Sequence, residues 1–398
     1  MVSRRGFLAS SAAVAASAAA GLGVGAAAAT TIAASGQQTA TASRALVFEG
    51  VHQMGIETPI QAVTNMVAFD ILPGATLLDM QRWMFLLTDD IRRMSRGEPV
   101  LADPAPELAI GAARFSAYVG FGPSLFRKLG LEDRIPEGLI DLPAFSIDAL
   151  KEEFSGGDVL IHVAADDPVV LSHGVRNLVR DSMPFATVRW NQAGFAHTPG
   201  MVPEGVTHRN LMGQIDGTAN PALDSTDFDE VVWIKDGPSW IQGGTMLVFR
   251  RIAMQLDTWD QLSSVGKGEV IGRTLKEGAP LTGTKESDTP DYEARSSVGL
   301  KVIPEFAHIR RASNAGNGER IFRRPFSYEQ PISKAGSMDV GLLWCAYQRN
   351  IEKQYLPMQL RLAELDLLNR WTLPIGSATF AIPRGVGEGE VIAEGLFS

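Results

Sequence analysis

The feature of this sequence that most constrains its fold is an order of elements predicted by the hydrophobic pattern. Residues 63–71, VTNMVAFDI, predict a strand, and residues 75–94 predict an amphipathic helix. The apolar stripe of this helix is predicted to be Leu78, Met80, Met84, Leu87 and Ile91. Further strands are predicted near 115–120, 159–164 and 185–190, with a helix over 167–180 before the last of them. The order is therefore β, α, β, β, α, β, which favours an α+β arrangement.

A similar order is predicted again in the second half of the chain. Strands are expected at 231–234, 245–256, 340–348 and 378–383, with a helical piece starting near Thr258. Two structurally similar α+β halves follow, and a length of 398 residues suits two domains. We place them at 45–210 and 211–398. The stretch from about 266 to 324 is predicted to be a long irregular loop, which in a compact domain is usually functional.

The N-terminal sequence predicts a targeting signal rather than a folded element. Ser3-Arg4-Arg5-Gly6-Phe7-Leu8 is followed by a run of small apolar residues that extends to Ala34. This pattern is typical of a twin-arginine export signal, and we expect residues 1–44 to be a removable leader. A stable membrane anchor is the weaker alternative, because Ala, Gly and Ser supply little transfer free energy. The expected location is extracellular or in the cell envelope.

Cysteine usage and charge exclude several classes of site. The single cysteine, Cys345, rules out an internal disulfide, a thiolate zinc site and a covalently attached c-type haem. It lies in an apolar run, so a buried structural thiol is the favoured interpretation. A formal charge of -9, from 45 acidic and 36 basic residues, argues against a nucleic-acid partner.

Three short blocks of sequence carry the chemical information. The first is Arg209-Asn210-Leu211-Met212-Gly213-Gln214-Ile215-Asp216-Gly217-Thr218-Ala219-Asn220-Pro221. Its bare G-x-x-D-G core would by itself be an ordinary glycine-bounded turn. The second block is Glu305-Phe306-Ala307-His308-Ile309-Arg310-Arg311-Ala312, and the third is Ile321-Phe322-Arg323-Arg324-Pro325-Phe326-Ser327-Tyr328.

In this order, the three blocks resemble the dye-decolorising peroxidase family, whose hallmark is G-x-x-D-G-T. The resemblance extends from Val63 to the C-terminal segment 379–385. It implies two ferredoxin-like halves with antiparallel sheets, as in the dimeric α+β barrel superfamily. It also implies one non-covalent haem b per chain, held mainly by the second half. A homo-oligomer stays an open alternative.

The resemblance further implies an enzyme that reduces hydrogen peroxide and oxidises small aromatic, phenolic or dye-like donors by single electrons. The alternative is a haem-handling protein, either a carrier or a deferrochelatase that releases iron. A proton-transfer group next to a charged arginine separates the two, because a carrier has no use for a proton shuttle.

His308 is the residue that the resemblance selects as the axial ligand of the haem iron. A neutral imidazole donates one nitrogen to iron, while its other N–H can be polarised by an acceptor. Asp366 and Asn369 are both candidates for that acceptor, and the sequence leaves the choice open.

Asp216 and Arg323 are the catalytic residues that the resemblance implies, with Gly217, Thr218 and Arg323 also contacting the cofactor. Asp216 would move a proton between the oxygens of peroxide, which is general acid–base work. An ordinary aspartate has a pKa of about 3.9 and stays a base at acidic pH, so we expect an acidic pH optimum. Arg323 would stabilise the departing oxygen; its neighbour Arg324 is the rival.

Aromatic residues could also carry surface radicals that oxidise bulky donors. The candidates are Trp233, Trp240, Trp371 and Tyr328. Packing in the core is the favoured interpretation for each of them.

Overall fold

Seven of the eight strands that the sequence predicts are present, in the predicted order. The computed structural model describes residues 44–109, 111–203, 206–313, 318–331 and 338–398, so nearly all of the predicted leader lies outside the described residues. The described residues form nine strands: β1 (Val63–Ile71), β2 (Ser116–Phe121), β3 (Val159–Ala165), β4 (Ala186–Phe195), β5 (Thr245–Met254), β6 (Phe322–Arg323), β7 (Phe326–Glu329), β8 (Val340–Gln348) and β9 (Thr372–Ile382).

The first four strands form an antiparallel sheet in the order β4-β1-β3-β2. His162 of β3 pairs with Met66 of β1 on one side and with Tyr118 of β2 on the other. The order 4-1-3-2, with helices after the first and third strands, is that of a ferredoxin-like unit.

The second half repeats this arrangement. Its main strands lie in the order β9-β5-β8-β7 and all pair antiparallel. If β5, β7, β8 and β9 are counted as strands one to four, the order is again 4-1-3-2. The short β6 pairs with β8 as well, where Arg323 lies opposite Ala346. The predicted α+β fold with two ferredoxin-like halves is thereby confirmed.

The two sheets join at both edges to form a ring of eight strands. Phe121 of β2 pairs with Ala381 of β9, and Phe195 of β4 pairs with Ser327 of β7. A closed ring removes the unpaired edges at which a sheet can bind another chain. Because both halves contribute to one ring, the boundary that we place after residue 210 stays a prediction.

The helices lie between the strands and at the C-terminus. Nine occur in the described residues: α1 (Leu77–Ser95), α2 (Pro123–Leu129), α3 (Pro168–Ser182), α4 (Thr226–Val232), α5 (Leu256–Trp259), α6 (Ser264–Ile271), α7 (His308–Ala312), α8 (Leu356–Leu365) and α9 (Glu394–Phe397). Short 3₁₀ turns cover Pro106–Leu108, Glu132–Arg134, Glu152–Phe154 and Leu367–Arg370, and a π-helical turn, Ile351–Tyr355, leads into α8. Within these residues no helix combines the length and apolar character needed to cross a membrane.

Helix α1 begins with a capping box. The Thr76 hydroxyl accepts the N–H of Asp79 at 3.3 Å, and the Asp79 carboxylate accepts the N–H of Thr76 at 3.0 Å. The helix buries Met84 and Leu87 against the first sheet, as its spacing predicts. Leu78, which we expected on the same stripe, is 51% exposed because it lies two residues, or about 200°, from the buried Met80.

Two sequence predictions about the second half are wrong. Residues 231–234 do not form a strand, because α4 extends to Val232. The Ser225 hydroxyl accepts the N–H of Phe228 at 3.1 Å and starts a helix there, and a short apolar run does not distinguish helix from strand. The stretch from 266 to 324 is not wholly irregular, since it contains most of α6 and all of α7.

Cys345 lies on β8 and is fully buried. Its Sγ is 3.7 Å from the Sδ of Met66, and burial raises the pKa of the thiol to about 12. A neutral thiol packed in this way is structural, so the sequence prediction is confirmed.

Candidate active site

Backbone hydrogen bonds and the side chain of Asn210 build the turn before Asp216. The N–H of Gly213 donates to the carbonyl of Asn210 at 2.9 Å, and the Asn210 side chain accepts the N–H of Met212 at 3.0 Å. Gly213 has φ +78°, a left-handed conformation that favours glycine. The N–H of Asp216 then donates to the carbonyl of His208 at 2.9 Å. These bonds fix the direction in which the chain presents the Asp216 carboxylate.

Thr218 attaches this turn to the long segment between α6 and α7. The hydroxyl of Thr218 donates to Glu286 Oε1 at 2.8 Å, and the hydroxyl of Thr207 donates to the same oxygen at 2.7 Å. A side-chain carbon at Gly217 would lie 3.2 Å from the Thr207 methyl group, so the backbone passes close to this contact. The cofactor contacts expected of Gly217 and Thr218 stay a prediction.

Asp216 and Arg323 form an ion pair. Nη1 of Arg323 donates to Oδ1 of Asp216 at 2.6 Å, with the two side chains 22% and 12% exposed. The side-chain amide of Asn220 binds both backbone polar groups of Arg323. Its Nδ2 donates to the Arg323 carbonyl at 2.7 Å, and its Oδ1 accepts the Arg323 N–H at 3.0 Å. The first and third sequence blocks are therefore joined at the catalytic residues that we predicted.

Arg324, the rival of Arg323, has a different environment. Its guanidinium donates to the carbonyl of Thr58 and to the side chain of Gln61, and the residue is 4% exposed. Burial lowers its pKa to about 10. Successive residues of an extended chain point to opposite sides, so only one of the two arginines can reach Asp216. That one is Arg323.

His308 is the first residue of α7 and is oriented by a carboxylate. Its Nδ1 donates to Oδ2 of Asp366 at 2.6 Å, while Oδ1 of Asp366 accepts the N–H of Leu368 at 2.9 Å. Asn369 instead donates its side-chain N–H to the carbonyl of Leu362 at 2.8 Å. Of the two candidates that the sequence leaves open, Asp366 is the partner of His308.

The charges around His308 show which groups lie near it. Burial lowers the pKa of His308, but the charge and hydrogen bond of Asp366 outweigh burial and raise it above its ordinary value. Arg323 lowers this pKa and Asp216 raises it, so both are close enough to act on the imidazole. The structure thus brings His308, Asp216 and Arg323 into one neighbourhood.

Comparison with known families decides the identity of the chain. The N-terminal domain model of Dyp-type peroxidases matches residues 53–196, and the C-terminal domain model matches residues 207–387. The chain belongs to the Dyp-type peroxidase family. It is therefore a haem peroxidase, an oxidoreductase that uses peroxide as the electron acceptor.

Individual Dyp-type peroxidases are similar along most of their length. The Dye-decolorizing peroxidase of Thermobifida fusca is 38% identical over 362 residues, which cover 86% of this chain and 83% of the relative. The Deferrochelatase of Escherichia coli K12 is 32% identical over 358 residues, which cover 85% and 84%. The crystal structure of a DyP-type peroxidase from Cellulomonas bogoriensis is 43% identical, with a TM-score of 0.86 and coverage of 90% and 99%.

The donor set fits the haem of a Dyp-type peroxidase. Because Nδ1 of His308 donates its proton to Asp366, the imidazole keeps a lone pair at Nε2 with which it would bind a haem iron. The His308 side chain is 29% exposed, so it is not sealed into the surrounding packing. Such a ligand, with the Asp216–Arg323 pair nearby, suits a non-covalent haem.

Two residues that matter for this Dyp-type peroxidase site escaped the sequence analysis. Asn220 lies inside the first block, and an asparagine there signals a backbone clamp only once its partner is known. Glu286 lies in the stretch treated as loop, and nothing in the sequence points to its two threonine partners.

Three of the four aromatic residues considered as surface radical sites are buried. Trp233, Trp240 and Tyr328 are 3%, 4% and 0% exposed, so packing in the core is confirmed for these three. Trp371 is partly exposed and packs against Trp259 with ring centroids 5.4 Å apart.

Proposed function

We propose that His308 binds the haem iron and that Asp216 and Arg323 act together on hydrogen peroxide. The observation that carries this proposal is the Asp216–Arg323 ion pair of 2.6 Å close to an imidazole that Asp366 orients. Bound haem supplies the redox chemistry, by which the two-electron oxidising power of peroxide is passed to substrates in single-electron steps.

Asp216 provides the proton transfer that this reaction needs. Its Oδ1 is held by Arg323, whereas among the described residues its Oδ2 accepts only a long hydrogen bond of 3.4 Å from Nδ2 of Asn210. Oδ2 can therefore take a proton from one peroxide oxygen and return it to the other, which leaves as water. A carboxylate base stays ionised where an imidazole is protonated, so an acidic pH optimum stays our expectation.

Arg323 positions both the base and the peroxide. Among the described residues, only Nη1 of its guanidinium makes a side-chain hydrogen bond, and that bond is to Asp216. The other N–H groups can donate to a peroxide oxygen and stabilise the negative charge that develops as it departs. Asn220 keeps the arginine in place by binding its backbone.

The axial role of His308 is tested by haem titration of His308→Ala followed through the Soret band. We expect the variant to lose the ligation seen in the parent protein, because the nitrogen donor is gone. His197→Ala is the matched control, since His197 is an exposed imidazole. Unchanged ligation in His308→Ala would show that another residue holds the iron.

The competing role is iron release from haem, as in a deferrochelatase. It is distinguished from the peroxidase role by measuring oxidised dye and released iron in the same reaction. The peroxidase role predicts peroxide-dependent oxidation of a phenolic or dye-like donor with the haem intact. The Asp216–Arg323 pair supports it, because iron release gives no part to a peroxide proton shuttle. Release of iron without dye oxidation would favour the competing role.

We also propose that the chain is exported by the twin-arginine route to the cell envelope or beyond. The support is the sequence around Arg4 and Arg5 and the small apolar residues after it. Replacing both arginines with lysine is expected to keep the protein in the cytoplasm, as measured by cell fractionation. Normal export of that variant would contradict the proposal.

A further inference from the structure

A chain of buried hydroxyl and imidazole groups runs through the barrel. The hydroxyl oxygens of Tyr347 and Tyr118 are 2.6 Å apart, and Tyr118 Oη is 2.6 Å from Nδ1 of His162. Nε2 of His162 is in turn 2.6 Å from Oγ1 of Thr64. All four residues are at most 2% exposed. The proposed peroxide chemistry uses none of them.

The direction of these hydrogen bonds follows from the far end of the chain. The Thr64 hydroxyl lies 2.8 Å from the carbonyl of Val163, which can only accept, so the single hydroxyl proton is donated there. Thr64 Oγ1 must then accept from Nε2–H of His162. Nδ1 of His162 therefore has no proton and accepts from Tyr118, whose oxygen accepts from Tyr347.

His162 is a neutral base held against a phenol. Burial, together with the charge of Arg324, lowers its pKa to about 3, so the imidazole keeps its lone pair at any pH near neutrality. Burial also raises the pKa of Tyr118 well above its ordinary value. Tyr118 thus keeps its proton at rest, although a base lies within hydrogen-bond distance of it.

This series of hydrogen-bonded side chains ends, at Tyr347, beside the strand that carries Arg323. Tyr347 on β8 pairs with Phe322 on β6, and the next pair along is Ala346 with Arg323. The rings of Phe322 and Tyr347 have centroids 6.1 Å apart. Tyr347 is therefore one cross-strand pair away from Arg323.

We propose that Tyr118 and His162 form an internal redox site, at which Tyr118 gives up one electron and its phenolic proton moves to Nδ1 of His162. This inference rests on the peroxidase function proposed above, which supplies the oxidant. A phenol loses an electron far more readily when a base takes its proton at the same time, and here the proton has only one hydrogen bond to cross.

Reduction of one hydrogen peroxide to two waters consumes two electrons and two protons. Tyr118 supplies one of the electrons, and the two phenolic donor molecules release the two protons as each is oxidised. The O–H bond of Tyr118 breaks, its proton binds His162, and a neutral phenoxyl radical remains. A reducing substrate later returns one electron, the proton moves back from His162, and the O–H bond forms again. A second substrate molecule supplies the other electron.

The remaining tyrosines have less suitable partners. Tyr355 donates to the amide oxygen of Gln359 and Tyr292 donates to the carbonyl of Ile309, both at 3.0 Å, and neither oxygen is a useful base. Tyr328 donates to the Asp339 carboxylate at 3.0 Å, but this carboxylate is already paired with Arg251 at 2.9 Å, which makes it a weaker base. Tyr118 is the tyrosine whose proton has an imidazole to receive it.

Freeze-quench electron paramagnetic resonance of the haem-loaded protein tests this assignment. The protein is mixed with hydrogen peroxide without reducing substrate and frozen within milliseconds. We expect a radical that ring-deuterated tyrosine identifies as tyrosine-derived and that couples to an exchangeable deuteron in D₂O. Tyr118→Phe should lose the signal, and Tyr355→Phe, the matched buried control, should keep it.

Two further variants keep the test decisive if Tyr118→Phe folds poorly. His162→Gln retains Tyr118 but removes the base, and should lose the signal; Tyr347→Phe should keep the signal with altered hydrogen-bond coupling. An undiminished tyrosine signal in Tyr118→Phe or His162→Gln overturns the inference. If wild-type protein consumes peroxide but gives no tyrosine radical, only this inference fails. If it does not consume peroxide, the proposed function fails first.

Discussion

His308 owes its orientation and its electronic character to one neighbouring carboxylate. Asp366 is 3% exposed at its side chain and uses one oxygen for the imidazole and the other for the N–H of Leu368. The backbone bond holds the carboxylate still, and the carboxylate holds the ring. A fixed, charged acceptor makes the imidazole a stronger donor to iron.

Asp366→Asn removes the negative charge of the side chain but keeps its hydrogen bond to His308, because the amide oxygen can still accept the Nδ1–H. We expect haem and its axial ligation to be retained, but the reduction potential of the haem to rise, since a weaker donor stabilises the ferric state less. Spectroelectrochemical titration measures the shift. Asn369→Ala is the control, and an unchanged or lower potential in Asp366→Asn would count against the role of the charge.

Asn220 is the residue through which the Asp216 turn positions Arg323. Asn220→Ala removes two hydrogen bonds to the Arg323 backbone, which we expect to cost roughly 1–3 kcal/mol of stability. Because a displaced arginine no longer aligns peroxide with Asp216, kcat/KM for peroxide should fall by up to about 10²-fold.

Steady-state kinetics and thermal unfolding of Asn220→Ala are compared with those of Asn350→Ala. Asn350 caps a different helical turn by accepting the N–H of Lys353, so its loss lowers stability away from the site. If both variants lose the same stability and neither loses activity, Asn220 has no positioning role.

At the scale of elements, α1 carries a buried carboxyl group that opposes stability at high pH. Asp90 is 5% exposed, and burial, with a hydrogen bond and the charge of Asp181, raises its pKa to about 7. A group whose pKa is raised by folding stabilises the protein at pH values below its pKa in the unfolded chain. This contribution to the free energy of unfolding is lost as the pH rises through about 7.

We therefore expect wild-type protein to lose stability between about pH 4 and pH 7, and Asp90→Asn to lose less because its side chain cannot ionise. Urea unfolding at several pH values measures this. Asp89→Asn is the control, since Asp89 is on the same helix but pairs with Arg93 at 2.8 Å. The same pH dependence in Asp90→Asn and wild type would rule the explanation out.

At the scale of the whole molecule, barrel closure brings the distant sequence blocks together. The loop with Asp216 follows the first sheet, whereas Arg323 is on β6, which pairs with β8 of the second sheet. Since β8 also pairs with β5 and β7, the position of Arg323 depends on the second sheet as a unit.

Much of this fold could be predicted from sequence, because each half has local signals of strand and helix in a recurring order. Closure into a ring was implied by the family resemblance alone, since Phe121–Ala381 and Phe195–Ser327 are single pairs without a sequence signature. At the site, the blocks indicated His308, Asp216 and Arg323. The partners Asp366, Asn220 and Glu286 depend on distances that only the folded chain defines.

The most direct test of the account is the rate at which haem-loaded Asp216→Asn reacts with hydrogen peroxide, measured by stopped-flow absorbance at the Soret band. We predict a second-order rate constant about 10²- to 10⁴-fold below that of wild type, with haem content unchanged, because the proton-transfer group is gone. Asp141→Asn, which breaks an exposed ion pair with Arg127, should react normally. A wild-type rate constant in Asp216→Asn would contradict the account.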